Sequence, residues 1–82
     1  MEFVTLGEAI AVRIEELCKE RGISINRLAL LSGLTQSTVD SILKGKSKNP
    51  QLATLIRISR GLDMTISEFL NDVGITDADI EE

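Results

Sequence analysis

The sequence predicts one all-α domain, and three observations lead to that fold class. Apolar residues recur three and four positions apart along most of the chain, which is the helical period. Glycines directly follow several of these periodic segments, as they do at the C-termini of helices. The only aromatic residues among the 82 are two phenylalanines, so the core must be built from aliphatic side chains that suit interlocking helices. A chain of this length is one domain.

The first helix is predicted from Thr5 to Arg21. Thr5 is followed three residues later by Glu8, which is the spacing of a capping box. Gly22 ends the helix, and basic residues occupy its last turn, where the helix dipole favours cations. The apolar stripe at helical spacing consists of Leu6, Ile10, Ile14 and Leu17.

Two short helices follow in close succession. Ser24 is the predicted N-cap of a second helix, Ile25 to Ser32, and Gly33 follows it directly as a left-handed end. Thr35 is then the cap of a third helix, Gln36 to Leu43. The apolar side of this third helix consists of Val39, Ile42 and Leu43.

A loop and two further helices complete the predicted domain. Residues 44–50, KGKSKNP, contain three lysines and a proline and predict a loop. The fourth helix is predicted from Gln51 to Arg60 and is ended by Gly61. A fifth helix follows a cap at Thr65.

The charge is distributed unevenly along a chain whose net charge is −4. Residues 23–70 contain six bases and three acids, whereas residues 71–82 contain five acids and no base. The field near a basic face depends more on local charge than on the total. We therefore expect a helical domain over residues 1–70 whose basic side attracts nucleic acid, and an acidic, partly ordered tail over residues 71–82 that faces away from it.

The composition disfavours several other classes of protein. There is no histidine and only one cysteine, Cys18, so neither an internal disulfide nor a metal site is expected. No glycine-rich phosphate loop follows a strand, so we expect no enzyme and no cofactor. No leader or membrane-spanning run is visible, which predicts a cytoplasmic protein without membrane contact. The chain has no room for a sensor domain, so no small-molecule ligand is expected.

The stretch from Ser24 to Leu43 carries the functional prediction. Two short helices joined by a tight turn at Gly33 have the layout of a helix-turn-helix. In that motif the second helix enters the major groove while the first braces it. The small side chain of Ala29 allows the two helices to approach closely.

The run from Ser24 through Leu70 resembles the phage repressor and Cro-like (XRE-type) family of bacterial transcriptional regulators. This resemblance implies a five-helix, lambda-repressor-like DNA-binding domain that acts as a repressor, with double-stranded DNA as its partner and a homodimer as its assembly. It rests on Leu28-Ala29, Gly33-Leu34, Ser37-Thr38-Val39, Gly45, Pro50, Leu52, Leu55, Ile58, Leu62 and Ile66-Ser67-Glu68-Phe69-Leu70.

By position, the resemblance makes residues 36–43 the recognition helix. Gln36, Ser37 and Thr38 are the expected base contacts, and Gln36 is the best single candidate because its amide pairs bidentately with adenine. The alternative for these polar residues is an ordinary solvated helix face, which has the same composition. For Thr35 the alternative is a helix cap, a role that is compatible with a contact to DNA. The expected phosphate contacts are Thr35, Ser41, Lys44, Lys46, Ser47, Lys48 and Asn49.

Two positions depart from the family pattern and, together with the acidic net charge, motivate an alternative. Ile25 stands where the family often has a glutamine that touches phosphate, and Leu30 stands at a position that is usually polar. Asp40 lies in the recognition helix, where we expect it to face solvent or pair with Lys44; a contact to cytosine N4 is the other option. The alternative function is a helical protein-interaction module of the same fold that has lost DNA binding.

Overall fold

The computed structural model describes residues 4–80. Residues 1–3 of the predicted domain and residues 81–82 of the predicted tail lie outside that range. The all-α fold class is confirmed. The described chain contains one helix more than the five predicted, because a short helix lies in the segment predicted as a tail. In order the helices are α1 (Leu6–Arg21), α2 (Ile25–Ser32), α3 (Gln36–Leu43), α4 (Leu52–Gly61), α5 (Ile66–Leu70) and α6 (Val73–Thr76).

Hydroxyl side chains begin four of these helices. Thr5, Ser24, Thr35 and Thr65 each accept a hydrogen bond at 3.1–3.2 Å from the backbone N–H three residues further on. The complete capping box lies at α5, where the backbone N–H of Thr65 donates to the Glu68 carboxylate at 2.9 Å and lowers the pKa of Glu68. At α1, the predicted capping-box acid accepts from the Thr5 hydroxyl instead. Each such cap contributes about 1 kcal/mol to helix stability.

The core is aliphatic apart from Phe69 and Cys18. Helix α2 packs against α4, α1 packs against α3 and α6, and α4 packs against α5. Cys18 lies in this core with 4% of its surface exposed, and burial raises the pKa of its thiol. The fully enclosed side chains include Ile10, Ile14, Leu28, Ile58, Leu62 and Phe69.

Gly61, predicted to follow α4 as its end signal, is the last residue of the helix itself, and Leu62 is the C-cap. The reason for the glycine is the close approach of α2, because a Cβ at Gly61 would collide with the side chain and backbone of Ser32. The left-handed backbone falls two residues later, at Asp63, with φ of 57°. The helix begins one residue later than predicted as well, since Gln51 is its N-cap.

Two arginines of α1 bind the ends of other helices. Arg13 donates to the backbone carbonyls of Phe69 at 2.9 Å and Glu68 at 2.8 Å, at the end of α5. Arg21 donates to the carbonyl of Leu62 at 2.8 Å, just beyond α4. Cations are favoured at helix C-termini, where carbonyls have no helical partner. These two bases therefore serve the fold.

The segment after α5 returns to the start of α1. The backbone N–H of Asp79 donates to the carbonyl of Val4 at 2.9 Å, and the N–H of Leu6 donates to the carbonyl of Asp79 at 2.8 Å. Ile75 of α6 packs against the core. The boundary drawn at residue 70 stays a prediction. No helix within residues 4–80 is both long and apolar enough to cross a membrane.

Candidate nucleic-acid interface

The turn between α2 and α3 has the predicted geometry. Gly33 adopts φ of +67°, a conformation that side-chain-bearing residues rarely adopt, and this reverses the chain within one residue. The backbone N–H of Leu34 donates to the carbonyl of Ala29 at 3.0 Å, which closes the end of α2. Ala29 is buried. The turn therefore sets α3 at a fixed angle to α2.

Helix α3 divides into a core side and a solvent side. Val39 and Ile42 are 0% and 3% exposed, and both lie in the interior. The polar residues of the opposite side are exposed, so no part of the described chain covers them. They are Gln36, Ser37, Thr38 and Ser41, and the cap Thr35 beside them is exposed too.

Two hydrogen bonds organise the exposed start of α3. The hydroxyls of Thr35 and Thr38 lie 2.9 Å apart and share a hydrogen bond. The side-chain nitrogen of Gln36 donates to the Asp40 carboxylate at 3.2 Å. The expected ion pair between Asp40 and Lys44 does not form within residues 4–80, because the carboxylate faces the preceding turn of the helix, where Gln36 lies.

The basic loop after α3 is held from two sides. The backbone N–H groups of Gly45 and Lys46 each donate at 3.0 Å to carbonyls of α3. On the other side, the loop lies against the start of α1: a Cβ added to Gly7 would lie 2.6 Å from the carbonyl oxygen of Ser47. The loop is therefore a fixed extension of α3. Lys44, Lys46, Lys48 and Asn49 are exposed and Ser47 is half-buried.

An open groove of about 400 Å³ lies between α3, the loop and the start of α4. It brings together the predicted residues Thr38, Ser41, Ser47 and Asn49. Sequence reasoning missed two other polar groups here, Gln51 and Thr54. Their position directly after a basic loop, at the start of a helix, was the available signal. The remaining lining residues are Ile42 and Pro50.

The charges around this face are of both signs. Asp40 is the only acid between residues 23 and 62. The acidic end of the chain nevertheless lies near the loop, since Asp79 pairs with Leu6 while the adjacent Gly7 contacts Ser47. The start of α1 thus separates a lysine-bearing loop from a carboxylate-bearing segment.

The two apolar departures in α2 lie in different surroundings. Ile25 is half-buried and packs against the core, so its place in the fold accounts for an apolar residue at this position. Leu30 is 70% exposed. A single exposed leucine is common on protein surfaces.

Comparisons with known proteins agree with this geometry. Residues 13–74 match the model of the Cro/C1-type helix-turn-helix DNA-binding domain. The transcriptional regulator SinR of Bacillus licheniformis is 33% identical over 70 residues, which are 85% of this chain and 63% of that protein. The chain thus spans less than two thirds of that relative's length.

Solved structures have the same fold. The crystal structure of prophage Lp1 protein 11 superposes with a TM-score of 0.79 at 32% identity, covering 87% of this chain and 93% of that one. A SinR structure, described as the master regulator for biofilm formation in complex with DNA, gives a TM-score of 0.67 at 32% identity. It covers 76% of this chain and 98% of that chain.

Proposed function

The chain belongs to the family of Cro/C1-type helix-turn-helix DNA-binding domains, and on that premise we propose that it is a sequence-specific transcriptional regulator. It acts as a cytoplasmic repressor whose helix α3 lies in the major groove of double-stranded DNA. The observation that carries this proposal is the exposed polar side of α3, which stands on a buried apolar side. A helix of that kind inserts into the groove without disturbing the core.

The base contacts of this proposal lie at the start of α3. Gln36, Ser37 and Thr38 are assigned to base edges because the first turn of the second helix reaches them in this motif. The Thr38 hydroxyl is already paired with Thr35, so its methyl group is the part available to a thymine methyl. Gln36 keeps its carbonyl oxygen and one N–H for adenine.

The phosphate contacts surround the base contacts. Lys44, Lys46 and Lys48 bring positive charge along the loop, and the groove beside it supplies hydroxyl and amide groups. Gln51 and Thr54 extend the set that the sequence predicted. The other members are Thr35, Ser41, Ser47 and Asn49.

A homodimer completes the proposal, because one recognition helix reads too few base pairs for useful specificity. Two copies related by a two-fold axis would bind half-sites about 34 Å apart. The proposal includes no catalytic step, cofactor or small-molecule ligand. The SinR–DNA complex supports DNA binding over a protein-interaction module of the same fold.

The decisive experiment is selection of bound duplexes from a random pool, followed by titration at two salt concentrations. We expect a palindromic motif and an affinity that falls steeply with salt, as release of counterions from about four to eight phosphates requires. A pool without enrichment, and no binding to any duplex at low salt, would refute DNA binding and favour the protein-interaction module.

A further inference from the structure

Asp40 places a negative charge on a surface that should attract phosphate. It is the only acid of α3 and lies one helical turn after Gln36. Its Oδ1 accepts a hydrogen bond of 3.2 Å from the Gln36 side-chain nitrogen. Residues four apart share a helix face, so this contact needs no distortion of the backbone.

The carboxylate of Asp40 favours one of the two orientations of the Gln36 amide. A glutamine amide has a donor end and an acceptor end, and rotation by half a turn exchanges them. A carboxylate only accepts, so Asp40 attracts the nitrogen end of Gln36 and repels its oxygen end. The exchange is thereby suppressed, and the Gln36 amide has one favoured orientation on the surface of α3.

Adenine requires one orientation of such an amide. In the major groove it offers the N7 acceptor and the N6 donor, and a bidentate glutamine must donate to the first while accepting from the second. When Asp40 accepts from the N–H opposite the oxygen, the other N–H remains free on the same edge of the amide as the oxygen. That edge is the one that matches adenine.

Resting on the proposed function, we infer that Asp40 is a positioning residue that orients Gln36 to read adenine. It does so at a cost in affinity, because a carboxylate near the DNA backbone repels phosphate at every sequence alike. Asp40 therefore lowers the affinity for every duplex and increases the preference for adenine. A direct contact of Asp40 with cytosine is the competing role that the experiment must exclude.

The test measures specificity ratios with five proteins. These are the unsubstituted chain, Asp40→Ala, Asp40→Asn, and Gln36→Ala with and without Asp40→Ala. The ratio is the Kd for a duplex changed at the base pair that Gln36→Ala no longer distinguishes, divided by the Kd for the selected duplex. Alanine is a better helix former than aspartate, so the substitution leaves α3 intact; circular dichroism checks this.

Asp40→Ala should lower this ratio by about threefold to tenfold, the worth of one hydrogen bond. It should at the same time raise affinity for random duplex. Asp40→Asn removes the same charge but keeps an acceptor oxygen, so random affinity should rise equally while the ratio falls less. In the Gln36→Ala background, Asp40→Ala should leave the ratio unchanged, because no amide remains to be oriented.

Two outcomes would overturn the inference and leave DNA binding standing. One is an Asp40→Ala ratio equal to that of the unsubstituted chain. The other is a loss of preference in the double variant at a base pair that Gln36→Ala alone still distinguishes, which would mean that Asp40 reads a base itself. If the unsubstituted chain binds no duplex at low salt, the proposed function fails and this inference fails with it.

Discussion

Gly7 is the position where a single methyl group should disturb the candidate interface from a distance. It is the second residue of α1, it is buried, and its missing Cβ leaves space for the carbonyl oxygen of Ser47. In Gly7→Ala the new carbon would lie 2.6 Å from that oxygen. Since the oxygen belongs to the backbone, it cannot rotate away, and the loop must move.

The magnitude follows from two opposing terms. Relieving the contact requires the loop and α1 to separate by most of an ångström, and overpacking of this kind costs about 1–3 kcal/mol. The same substitution gains up to about 1 kcal/mol from helix propensity and reduced freedom of the unfolded chain. We expect a net loss of about 1 kcal/mol, which lowers Tm by roughly 4–8 °C in a domain of this size.

Thermal unfolding and DNA titration together test this reasoning. The displaced loop carries Lys46 and Lys48, so affinity should fall by a similar factor for selected and random duplexes. Gly74→Ala is the matched control: Gly74 is also the second residue of its helix, but its Cβ would meet a side-chain oxygen of Asp72 at 3.1 Å and no backbone oxygen. If Gly7→Ala were as stable as Gly74→Ala and bound DNA normally, the loop would not be held by α1.

Three further predictions concern charge and burial. Lys46→Ala should reduce the slope of log affinity against log salt by about one unit for every duplex. Lys19→Ala is the control and should leave the slope unchanged, because Lys19 lies about 18 Å along α1 from Gly7, where the loop contacts the helix. Equal slopes for the two variants would remove Lys46 from the interface. Asp77→Asn combined with Asp79→Asn keeps the backbone pairing to α1 and should raise affinity for DNA at low salt but not at high salt, as measured by the same titrations; no rise would mean that the acidic segment is too far from the duplex. Cys18 is buried with a raised pKa, so iodoacetamide should label it in the folded protein only as fast as the protein unfolds, and rapid labelling without denaturant would contradict its place in the core.

Local chemistry made most helix ends predictable. Thr35 and Ser24 bind backbone N–H groups within their own helix, so the information needed to place them lies within four residues. The glycines at 22 and 33 needed only a left-handed conformation and ended their helices as predicted. The bounds of α2 and α3 therefore agree with the sequence to the residue.

Features that depend on distant residues could not be predicted in this way. Gly61 looks like a helix end in sequence, but its missing side chain leaves space for Ser32, which lies 29 positions earlier. No residue near Arg13 or Arg21 in the sequence indicates their partners, because only the fold brings the ends of α5 and α4 to them. The partner of Asp40 was ambiguous for another reason, because Gln36 and Lys44 lie at equal spacing on either side of it.

The net charge misleads about this chain because the fold sorts its charges by position. Arg13 and Arg21 are occupied at helix ends, so they add nothing to a DNA-binding face. The three lysines of residues 44–48 are exposed together on a loop that α1 holds in place. The acids that make the total negative lie mostly in α1 and after residue 70.

Fields of exposed charges fade over about 8–10 Å at physiological salt. A duplex docked on α3 therefore responds chiefly to the loop and to the carboxylates that lie within that distance of it. For the proposed interface, the acids that matter most are thus Asp40 within it and those around Asp79 at its edge, and we expect both to lower affinity without affecting the fold.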